Sequence, residues 1–371
     1  MIDLQSQYKR LKKEIDAAIQ EVIDSSSFIN GPQVKTFCSH LEEYMNAPYI
    51  IPCGNGTDAL LLALRASDIQ QGDEVILPAF TYIAAVEMVA SLGVTPVLVD
   101  VYPDTFNMNT EHLEQAISRQ TKAIIPVHLF GQSCNMEPVM KIAEKYKLKV
   151  IEDNAQSLGA DYTFSDGTVK KTGTIGHIGT LSFFPSKPLA CYGDGGAVIT
   201  SDATLAERIR MIANHGQTQK YHHKTIGCNS RLDTIQAAIL DVKLKYINSF
   251  TDARRKVAGD YDRTLSSLPE LKIPTSSPFS THIYHQYTIR VKNGRRDALQ
   301  AFLKEQNIPT MIYYPLPVHE QEAYKWVART SGTVSNAASL CKEVLSLPIH
   351  TEMTDETQRF IIENIIRFFR K

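Results

Sequence analysis

Short apolar segments alternate with amphipathic helical segments along the first half of the chain, and this alternation constrains the fold more than any other sequence feature. The strand candidates, rich in β-branched and aliphatic residues, cover residues 50–53, 74–77, 96–99, 122–127, 149–152 and 180–184. Helical periodicity occurs between them at residues 57–65, 83–90 and 137–146. Strand, helix, strand at this spacing predicts parallel strands joined by helical crossovers. Because the strands are continuously apolar, we expect both faces of the sheet to be covered, which is an α/β fold.

The pattern changes in the last third of the chain. The sequence predicts one long amphipathic helix over residues 239–265. It then predicts a strand at residues 286–291, a helix at 296–305, a strand at 310–313 and a final helix from Asp355. These elements indicate a large domain over residues 1–248 and a smaller α+β domain over residues 249–371. The N-terminal helix, residues 8–23, is a candidate to pack on the small domain.

Composition excludes several classes of partner. The net charge is -1, so no overall field attracts nucleic acid or an anionic membrane. The six cysteines form no C-x-x-C pair, which argues against a metal or disulfide framework and for free thiols in a reducing compartment. The most apolar stretch, residues 84–101, contains Glu87 and Asp100, which a membrane-spanning helix would have to bury. We therefore expect a cytoplasmic protein with no metal, no membrane contact and no nucleic-acid partner.

Lys187 is the candidate nucleophile. It follows the strand at residues 180–184 and precedes a glycine-rich turn at residues 193–196. Its neighbours include Phe184, Pro188 and Leu189, and partial removal from water would lower the pKa of its amine. The alternative is an ordinary exposed lysine on a loop, which is the usual place for this residue type.

Asp153 is the candidate acid. It ends the strand at residues 149–152, and a carboxylate at the carboxyl end of a parallel strand points into the ligand crevice of such a sheet. The alternative is a helix N-cap, since the residues from Asn154 onward could begin a helix. The residues alone leave both readings open.

An anion site is predicted at residues 54–57, where a short strand gives way to a helix. Gly56 lets the backbone approach a ligand closely, and the amides of Gly56 and Thr57, the Thr57 hydroxyl and the helix dipole favour a phosphate. Ser182 could add a second hydroxyl. The alternative is an ordinary turn and helix cap.

Tyr82 follows the strand at residues 74–77 and is a candidate flat partner for an aromatic ligand; the alternative is a core aromatic residue. A nucleophilic lysine, an acid, an anion site and a flat ring are the four features that pyridoxal phosphate (PLP) requires of a protein. The sequence therefore points to PLP chemistry.

The order of these residues resembles one family. Gly56 and Thr57, Tyr82, Asp153 with Gln156, Ser182 with Lys187, and then residues 229–233 follow the pattern of the DegT/StrS nucleotide-sugar aminotransferases, which are PLP enzymes of fold type I. The resemblance covers essentially the whole chain and is most specific at residues 182–196 and 229–237. It implies a large domain with a mostly parallel seven-stranded sheet and a smaller C-terminal α+β domain.

The resemblance also implies roles on the cofactor. Lys187 would bind PLP covalently and carry the proton, and Asp153 would pair with the pyridine nitrogen. Gln156 would support the phenolic oxygen, Tyr82 would stack on the ring, and Ser182 would join Gly56 and Thr57 at the phosphate. Asn229 would reach the phosphate in the neighbouring subunit, which implies a homodimer with shared active sites.

The substrate side follows from the same resemblance. Arg231 would meet the substrate, and His222 and His223 lie in a segment similar to the subgroup that acts on UDP-2-acetamido-2-deoxy-3-oxo-glucuronate, with L-glutamate as the donor, for O-antigen assembly. A solvated loop is the alternative for the two histidines. Tyr313 stands where the subgroup has histidine in a His-Tyr-Pro motif, and Pro188 stands where the family often has asparagine. Aminotransferases of dTDP-3-keto-6-deoxyhexoses and a regulator that only binds PLP are the rival functions.

Overall fold

The computed structural model describes residues 1–370; Lys371, the end of the predicted small domain, lies outside the described residues. The α-helices are α1 (Leu4–Ser25), α2 (Pro32–Met45), α3 (Gly56–Ala66), α4 (Ala84–Ser91), α5 (Met136–Tyr146), α6 (Ala203–Ala213), α7 (Thr234–Leu244), α8 (Ile247–Leu265), α9 (Arg296–Glu305), α10 (Ser335–Glu343) and α11 (Asp355–Arg370). The β-strands are β1 (Tyr49–Cys53), β2 (Glu74–Pro78), β3 (Thr95–Val99), β4 (Thr121–Ile124), β5 (Lys149–Asp153), β6 (Asp161–Thr163), β7 (Val169–Lys171), β8 (Ile178–Ser182), β9 (Gly196–Thr200), β10 (Gln217–Gln219), β11 (His222–His223), β12 (Leu271–Lys272), β13 (Tyr287–Val291), β14 (Arg329–Thr330) and β15 (Val344–Leu347).

A mostly parallel sheet forms the centre of the fold, in the order β1-β9-β8-β5-β4-β2-β3-β14. Strand β9 pairs antiparallel with β1 and β8, whereas the pairs from β8 across to β14 are parallel. The predicted α/β fold is confirmed. Within residues 1–370 the sheet has eight strands rather than seven, because β14 adds to the edge at β3 and Arg329 bonds Glu74 on β2. A two-residue strand carries no periodic signal, so β14 could not be predicted from the sequence.

Helices cover both faces of the sheet. Strand β2 illustrates the arrangement, because Val75, Ile76 and Leu77 are fully buried and alternate between two apolar clusters. Val75 and Leu77 pack in the cluster that holds α3 and α4, and Ile76 packs in the cluster that holds α5. Burial on both faces explains why the strands are continuously apolar.

The C-terminal part of the chain has a core of its own. Tyr261 of α8, Ile289 of β13, Leu345 of β15 and Ile361 of α11 pack in one buried cluster. Helix α1 lies on α7, and its Arg10 also forms an ion pair with Glu352, so the N-terminal helix contacts the C-terminal part as well. The division of domains after residue 248 stays a prediction.

The single helix predicted over residues 239–265 is wrong. Helix α7 ends at Leu244 and α8 begins at Ile247, and Tyr246 between them has φ -107° and ψ 0°. The apolar residues of α7 pack with α1 and α2, as do Ile247 and Phe250 at the start of α8, whereas the later apolar residues of α8, from Val257 onward, pack in the C-terminal core. The break between the helices lets them pack against different cores. Because the apolar period continues through the break, the sequence predicts one helix.

The strand predicted over residues 310–313 is also wrong. Only Met311 pairs there, as an isolated bridge to Ser346 of β15. The next residues leave the sheet, and Tyr313 and Tyr314 line a cavity instead. The aromatic side chains of Tyr313 and Tyr314 therefore line the cavity and do not extend a strand.

Residues 1–370 include no group of side chains suited to hold a metal ion and no helix with the length and apolar character needed to cross a membrane. All six cysteines are free thiols. Burial raises the pKa of the Cys38 and Cys134 thiols to about 12, so these two thiols stay protonated at neutral pH.

Candidate functional site

A cavity of about 700 Å³ lies where the parallel strands of the central sheet end. The predicted residues that line it are Gly56, Thr57, Tyr82, Asp153, Gln156, Ser182, Lys187 and Tyr313. The cavity volume is typical of small-molecule sites. The structure thus brings these residues together, although it leaves their individual roles as predictions. Four further predicted residues, Asn229, Arg231, His222 and His223, are not among its lining.

Many of the residues that line the cavity fall into two groups. The strand-end wall consists of residues that follow central strands or begin α3, namely Gly56, Thr57, Asp153, Gln156, Ser182 and Lys187. The C-terminal wall consists of residues from the C-terminal part of the chain, namely His285, Gln286, Tyr313 and Tyr314. Of the C-terminal wall, sequence reasoning identified only Tyr313.

Lys187 and Asp153 form the charged centre of the strand-end wall. The Lys187 backbone amide donates to the Phe184 carbonyl at 2.8 Å, in a tight turn after β8. Burial lowers the pKa of the Lys187 amine, and the negative charge of Asp153 partly opposes that change. Burial raises the pKa of Asp153, while the Ala155 amide, which donates to its Oδ1 at 3.1 Å, and the charge of Lys187 act in the opposite direction. No helix begins at Asn154, so the helix-cap alternative for Asp153 does not apply.

A buried network fixes the end of β5 that carries Asp153. The fully buried Glu152 carboxylate accepts hydrogen bonds from three amides of residues 173–176 at 2.6–2.8 Å. It also lies 2.7 Å from Nε2 of the buried His128. Because the Cys134 amide donates to Nδ1 of His128 at 3.1 Å, the ring proton lies on Nε2 and points at Glu152. This saturated carboxylate holds the strand end rigid.

The anion site is built from the start of α3. The Asn55 side chain accepts from the Asp58 amide at 2.8 Å and caps the helix. The amides of Gly56 and Thr57 precede any helical acceptor, so the helix itself cannot use them. A Cβ on Gly56 would lie 2.7 Å from the Cβ of Ser182, so only glycine fits beside that serine. Free amides, two hydroxyls and the helix dipole suit a phosphate group.

Aromatic rings and one amide join the two walls. The Tyr82 side chain is 53% exposed, which excludes the core alternative for it, and its ring centre lies 6.2 Å from that of Tyr314. The buried Gln156 donates from Nε2 to the Tyr314 hydroxyl at 3.2 Å. Its Oε1 accepts from the Phe130 amide at 2.9 Å. Gln156 therefore couples the strand-end wall to the C-terminal wall.

The loop that carries Asn229 and Arg231 is fixed beside the anion site. The hydroxyl of the intervening Ser230 accepts from the Gly54 amide at 2.9 Å and donates to Asp58 at 2.6 Å. The Asn229 and Arg231 side chains are exposed and stand outside the cavity of their own chain.

His222 and His223 also lie outside the lining of the cavity. They form β11, which pairs with β10 in a short hairpin, and both side chains are exposed. A ring nitrogen of His223 lies 2.8 Å from the His215 carbonyl. In the single chain the hairpin is a solvated loop, as the alternative interpretation of the sequence allowed.

The model of the DegT/DnrJ/EryC1/StrS aminotransferase family matches residues 9–366. A "Pleiotropic regulatory protein" of Geobacillus stearothermophilus is 45% identical, covering 100% of this chain and 98% of its own length. A UDP-2-acetamido-2-deoxy-3-oxo-D-glucuronate aminotransferase of Pseudomonas aeruginosa is 44% identical, covering 94% of each chain. A dTDP-3-amino-3,6-dideoxy-alpha-D-galactopyranose transaminase of Aneurinibacillus thermoaerophilus is 42% identical, covering 99% of this chain and 98% of its own.

Solved structures share the fold over the same extent. A DegT DnrJ EryC1 StrS aminotransferase from Brucella abortus has a TM-score of 0.95 and 41% identity, covering 100% of this chain and 99% of its own. The NtdA protein of Bacillus subtilis, solved with bound cofactor PMP, has a TM-score of 0.88 and 31% identity, covering 97% of this chain and 82% of its own. Both likenesses extend across the cavity and the C-terminal part.

Proposed function

Because the chain belongs to the DegT/DnrJ/EryC1/StrS aminotransferase family, we propose that it moves the amino group of L-glutamate to the C3 ketone of UDP-2-acetamido-2-deoxy-3-oxo-glucuronate. At the coarser level the chain is a nucleotide-sugar aminotransferase, and its cofactor is pyridoxal phosphate. The observation that carries the proposal is a half-buried lysine, Lys187, whose amine has a lowered pKa and which shares one cavity with Asp153 and the anion site at Gly56. The 3-amino sugar acid would serve O-antigen or other cell-surface polysaccharide synthesis.

The residues of the strand-end wall fit the cofactor. Pyridoxal phosphate, when bound, supplies an aldehyde carbon and an electron-withdrawing ring that carry the amino group from donor to acceptor. The anion site of Gly56, Thr57 and Ser182 would hold its phosphate. Asp153 would keep a proton on the ring nitrogen, because a carboxylate that stays negative favours a positive partner.

Lys187 would be both nucleophile and proton carrier. Burial lowers the pKa of its amine, so more of the amine is neutral at neutral pH than for an exposed lysine. Gln156 would hold the phenolic oxygen of the cofactor, and the exposed ring of Tyr82 would cover its face and exclude water.

The charges of the cavity support a homodimer with shared sites. Asp58, Asp153 and Asp194 line the cavity, and Lys187 is the one lysine or arginine of residues 1–370 in its lining. A substrate with a diphosphate and a carboxylate needs more positive charge than this. We infer that Arg231, with Asn229 on the same loop, reaches the cavity of a second copy, and that His222 and His223 on the hairpin do the same.

Mixing two inactive variants tests the shared site. In this proposal each active site takes Lys187 from one chain and Arg231 from the other. A dimer of one Lys187→Ala chain and one Arg231→Ala chain therefore has one site with both residues altered and one intact site. Random re-association after mild dissociation is expected to restore about a quarter of the wild-type rate, since half of the dimers are mixed and each has one working site. No gain over the separate variants would place Arg231 in its own chain's site or outside any site.

Two other functions have a specific observation in their favour. The 42% identical relative named for a dTDP-linked sugar favours a dTDP-3-keto-6-deoxyhexose as acceptor. Assays of 3-keto sugars with and without a C6 carboxylate, on UDP and on dTDP, separate that acceptor from the hexuronate. The 45% identical relative named as a regulatory protein favours a regulator that binds the cofactor without turnover. The presence of both Lys187 and Asp153 in the cavity supports catalysis instead.

The visible spectrum of the purified protein tests the proposal directly. We expect a yellow protein whose colour is bleached by L-glutamate and returns when the keto sugar is added, with the 3-amino sugar identified by mass spectrometry. A colour that glutamate leaves unchanged would support the regulator. The free thiols support a reducing compartment, so we place the reaction in the cytoplasm.

A further inference from the structure

His285 is a buried group in the cavity to which no role has been given. Its side chain is 5% exposed, and it lines the cavity with Lys187 and Tyr314. Its Nδ1 is fully enclosed without a hydrogen-bond partner, and its Nε2 bonds no residue of the described chain either. Buried polar atoms in native proteins are nearly always hydrogen-bonded. The enclosed Nδ1 leaves a ligand only Nε2 to bond, so an imidazole without a partner in its own chain points to a partner on the ligand at Nε2.

The backbone around His285 is locked in place. The buried guanidinium of Arg254 donates from one nitrogen toward the carbonyls of Tyr284, His285 and Ile349 at 3.2–3.5 Å. On the other side the Phe130–Gly131 turn packs so closely that a Cβ on Gly131 would lie 2.8 Å from the His285 amide nitrogen. Gly131 has a φ of +111°, which favours glycine. The imidazole is thus held at a fixed place in the wall.

The ring is neutral. Burial lowers the pKa of His285 well below its usual value, and the positive charges of Lys187 and Arg254 act in the same direction. A neutral imidazole has one N–H donor and one acceptor nitrogen, and with its pKa lowered it is a poor base at neutral pH. This suits a hydrogen bond to a hydroxyl group, which both donates and accepts, rather than proton transfer.

The wall to which His285 belongs suggests which ligand it meets. The strand-end wall and Tyr82 supply the groups that the cofactor requires, whereas His285 comes from the segment just before β13 in the C-terminal part. We propose, on the basis of the proposed function, that His285 is a substrate-positioning residue that hydrogen bonds a hydroxyl of the bound nucleotide sugar.

The test separates the two substrates of the enzyme. Holoenzyme is prepared as wild type, His285→Phe, which keeps a flat ring without hydrogen bonds, and His285→Gln, which restores an amide. Bleaching of the bound cofactor is followed with L-glutamate and, in the reverse direction, with the 3-amino sugar product. The Kd of UDP-2-acetamido-2-deoxyglucuronate, an analogue without the ketone, is measured by calorimetry.

His282→Phe is the matched control. His282 is buried to a similar extent, at 6% exposed, but its Nδ1 accepts from the Tyr284 amide at 2.9 Å and it does not line the cavity. This variant is expected to lower thermal stability and to leave both half-reactions at wild-type rates.

For His285→Phe we expect the rate of the glutamate half-reaction to stay within about twofold of wild type. KM for the amino sugar and Kd for the analogue should each rise about tenfold, which is the usual effect of one lost hydrogen bond. His285→Gln should recover part of that loss. Equal losses with both substrates, or no change with either, would overturn the role of His285. If wild type itself neither bleaches with the amino sugar nor binds the analogue, it is the proposed function that fails.

Discussion

The strand-end wall and the C-terminal wall meet in one cavity but are positioned in different ways. Each residue of the strand-end wall lies at a helix start or at most five residues past the last residue of a central strand: Asp153 ends β5, Ser182 ends β8 and Gly56 begins α3. The C-terminal wall comes from two separate irregular segments, one before β13 and one around Tyr314, and tertiary contacts such as the Gln156 hydrogen bond hold it.

This difference matches a division of work. The chemistry of amino transfer needs the same few groups for any sugar, and strand ends of a parallel sheet hold such groups rigidly. The relatives are named for different sugars, and irregular segments can change without disturbing the sheet. We therefore expect changes in the strand-end wall to lower kcat and changes in the C-terminal wall to act mainly on KM for the sugar.

The sharpest test of the strand-end wall is Lys187→Ala. The change removes the nucleophile and the proton carrier together, and we expect kcat to fall by at least about 10³-fold, within the range for loss of a general acid or base. Steady-state rates with glutamate and the keto sugar measure the effect. The protein should still bind the sugar analogue with nearly the wild-type Kd by calorimetry.

Added small primary amines provide the control for Lys187→Ala. Methylamine can occupy the space left by the side chain and accept the proton, so it should restore a measurable part of the rate. An alanine variant with full activity would remove Lys187 from the mechanism and the strand-end wall from the chemistry.

Asp153→Asn is expected to have the next largest effect. The variant keeps the shape of the side chain but loses the charge, and we expect a loss of about 10²–10³-fold in kcat, as for other preorganised electrostatic groups. Because the charge of Asp153 raises the pKa of Lys187, its removal should lower that pKa further. The rate at which cofactor-free protein captures pyridoxal phosphate should then rise at a lower pH than in wild type.

Asp194→Asn is the matched control for Asp153, since Asp194 lines the same cavity but is exposed. Asp194→Asn should lower kcat much less than Asp153→Asn does. The pH dependence of pyridoxal phosphate capture by the cofactor-free protein should stay as in wild type. Equal effects of the two variants would mean that general negative charge, and not the position of Asp153, matters.

The contrast between the walls also explains what the sequence could predict. Apolar period and strand order predicted the α/β fold and placed Asp153, Ser182 and Lys187 after strands, and the structure brings these three residues to one cavity. Their roles on the cofactor came from the family resemblance. His285 and Gln286 lie just before β13 without any local pattern, and only packing against the Phe130–Gly131 turn brings them to the cavity. Tyr314 could have been found from its place beside Tyr313.

The errors in the fold have the same origin. The break between α7 and α8 and the two-residue strand β14 both depend on contacts between distant parts of the chain. Hydrophobic periodicity shows which face of a helix or strand is buried, but it does not show which core that face packs against.

Gln156→Leu tests the connection between the walls. It would leave the Phe130 amide without its acceptor and the Tyr314 hydroxyl without its donor. We expect kcat/KM to fall about tenfold and the free energy of unfolding to fall by about 1–3 kcal/mol, the cost of a buried group without a partner. Steady-state kinetics and urea unfolding of the cofactor-free protein measure the two effects.

Gln132→Leu is the control for Gln156→Leu. Gln132 is buried as well and bonds the Thr275 carbonyl at 2.9 Å and the Ser277 amide at 3.0 Å, but it does not line the cavity. Gln132→Leu should lower the free energy of unfolding by a similar amount and leave kcat/KM unchanged. If both variants lower kcat/KM alike, the loss reflects stability and the coupling of the walls is not functional.

Tyr314→Phe should have the smallest effect of the series. Burial raises the pKa of the Tyr314 hydroxyl, so it stays protonated and serves as a hydrogen-bond partner of Gln156 rather than as a base. We expect a loss of about 0.5–1.5 kcal/mol in the free energy of unfolding and a change in kcat/KM of less than about threefold. Tyr261→Phe, which loses a 2.9 Å hydrogen bond to the Pro348 carbonyl away from the cavity, is the matched stability control. A kcat loss above tenfold in Tyr314→Phe alone would assign a chemical role to the C-terminal wall and end the division between the two walls.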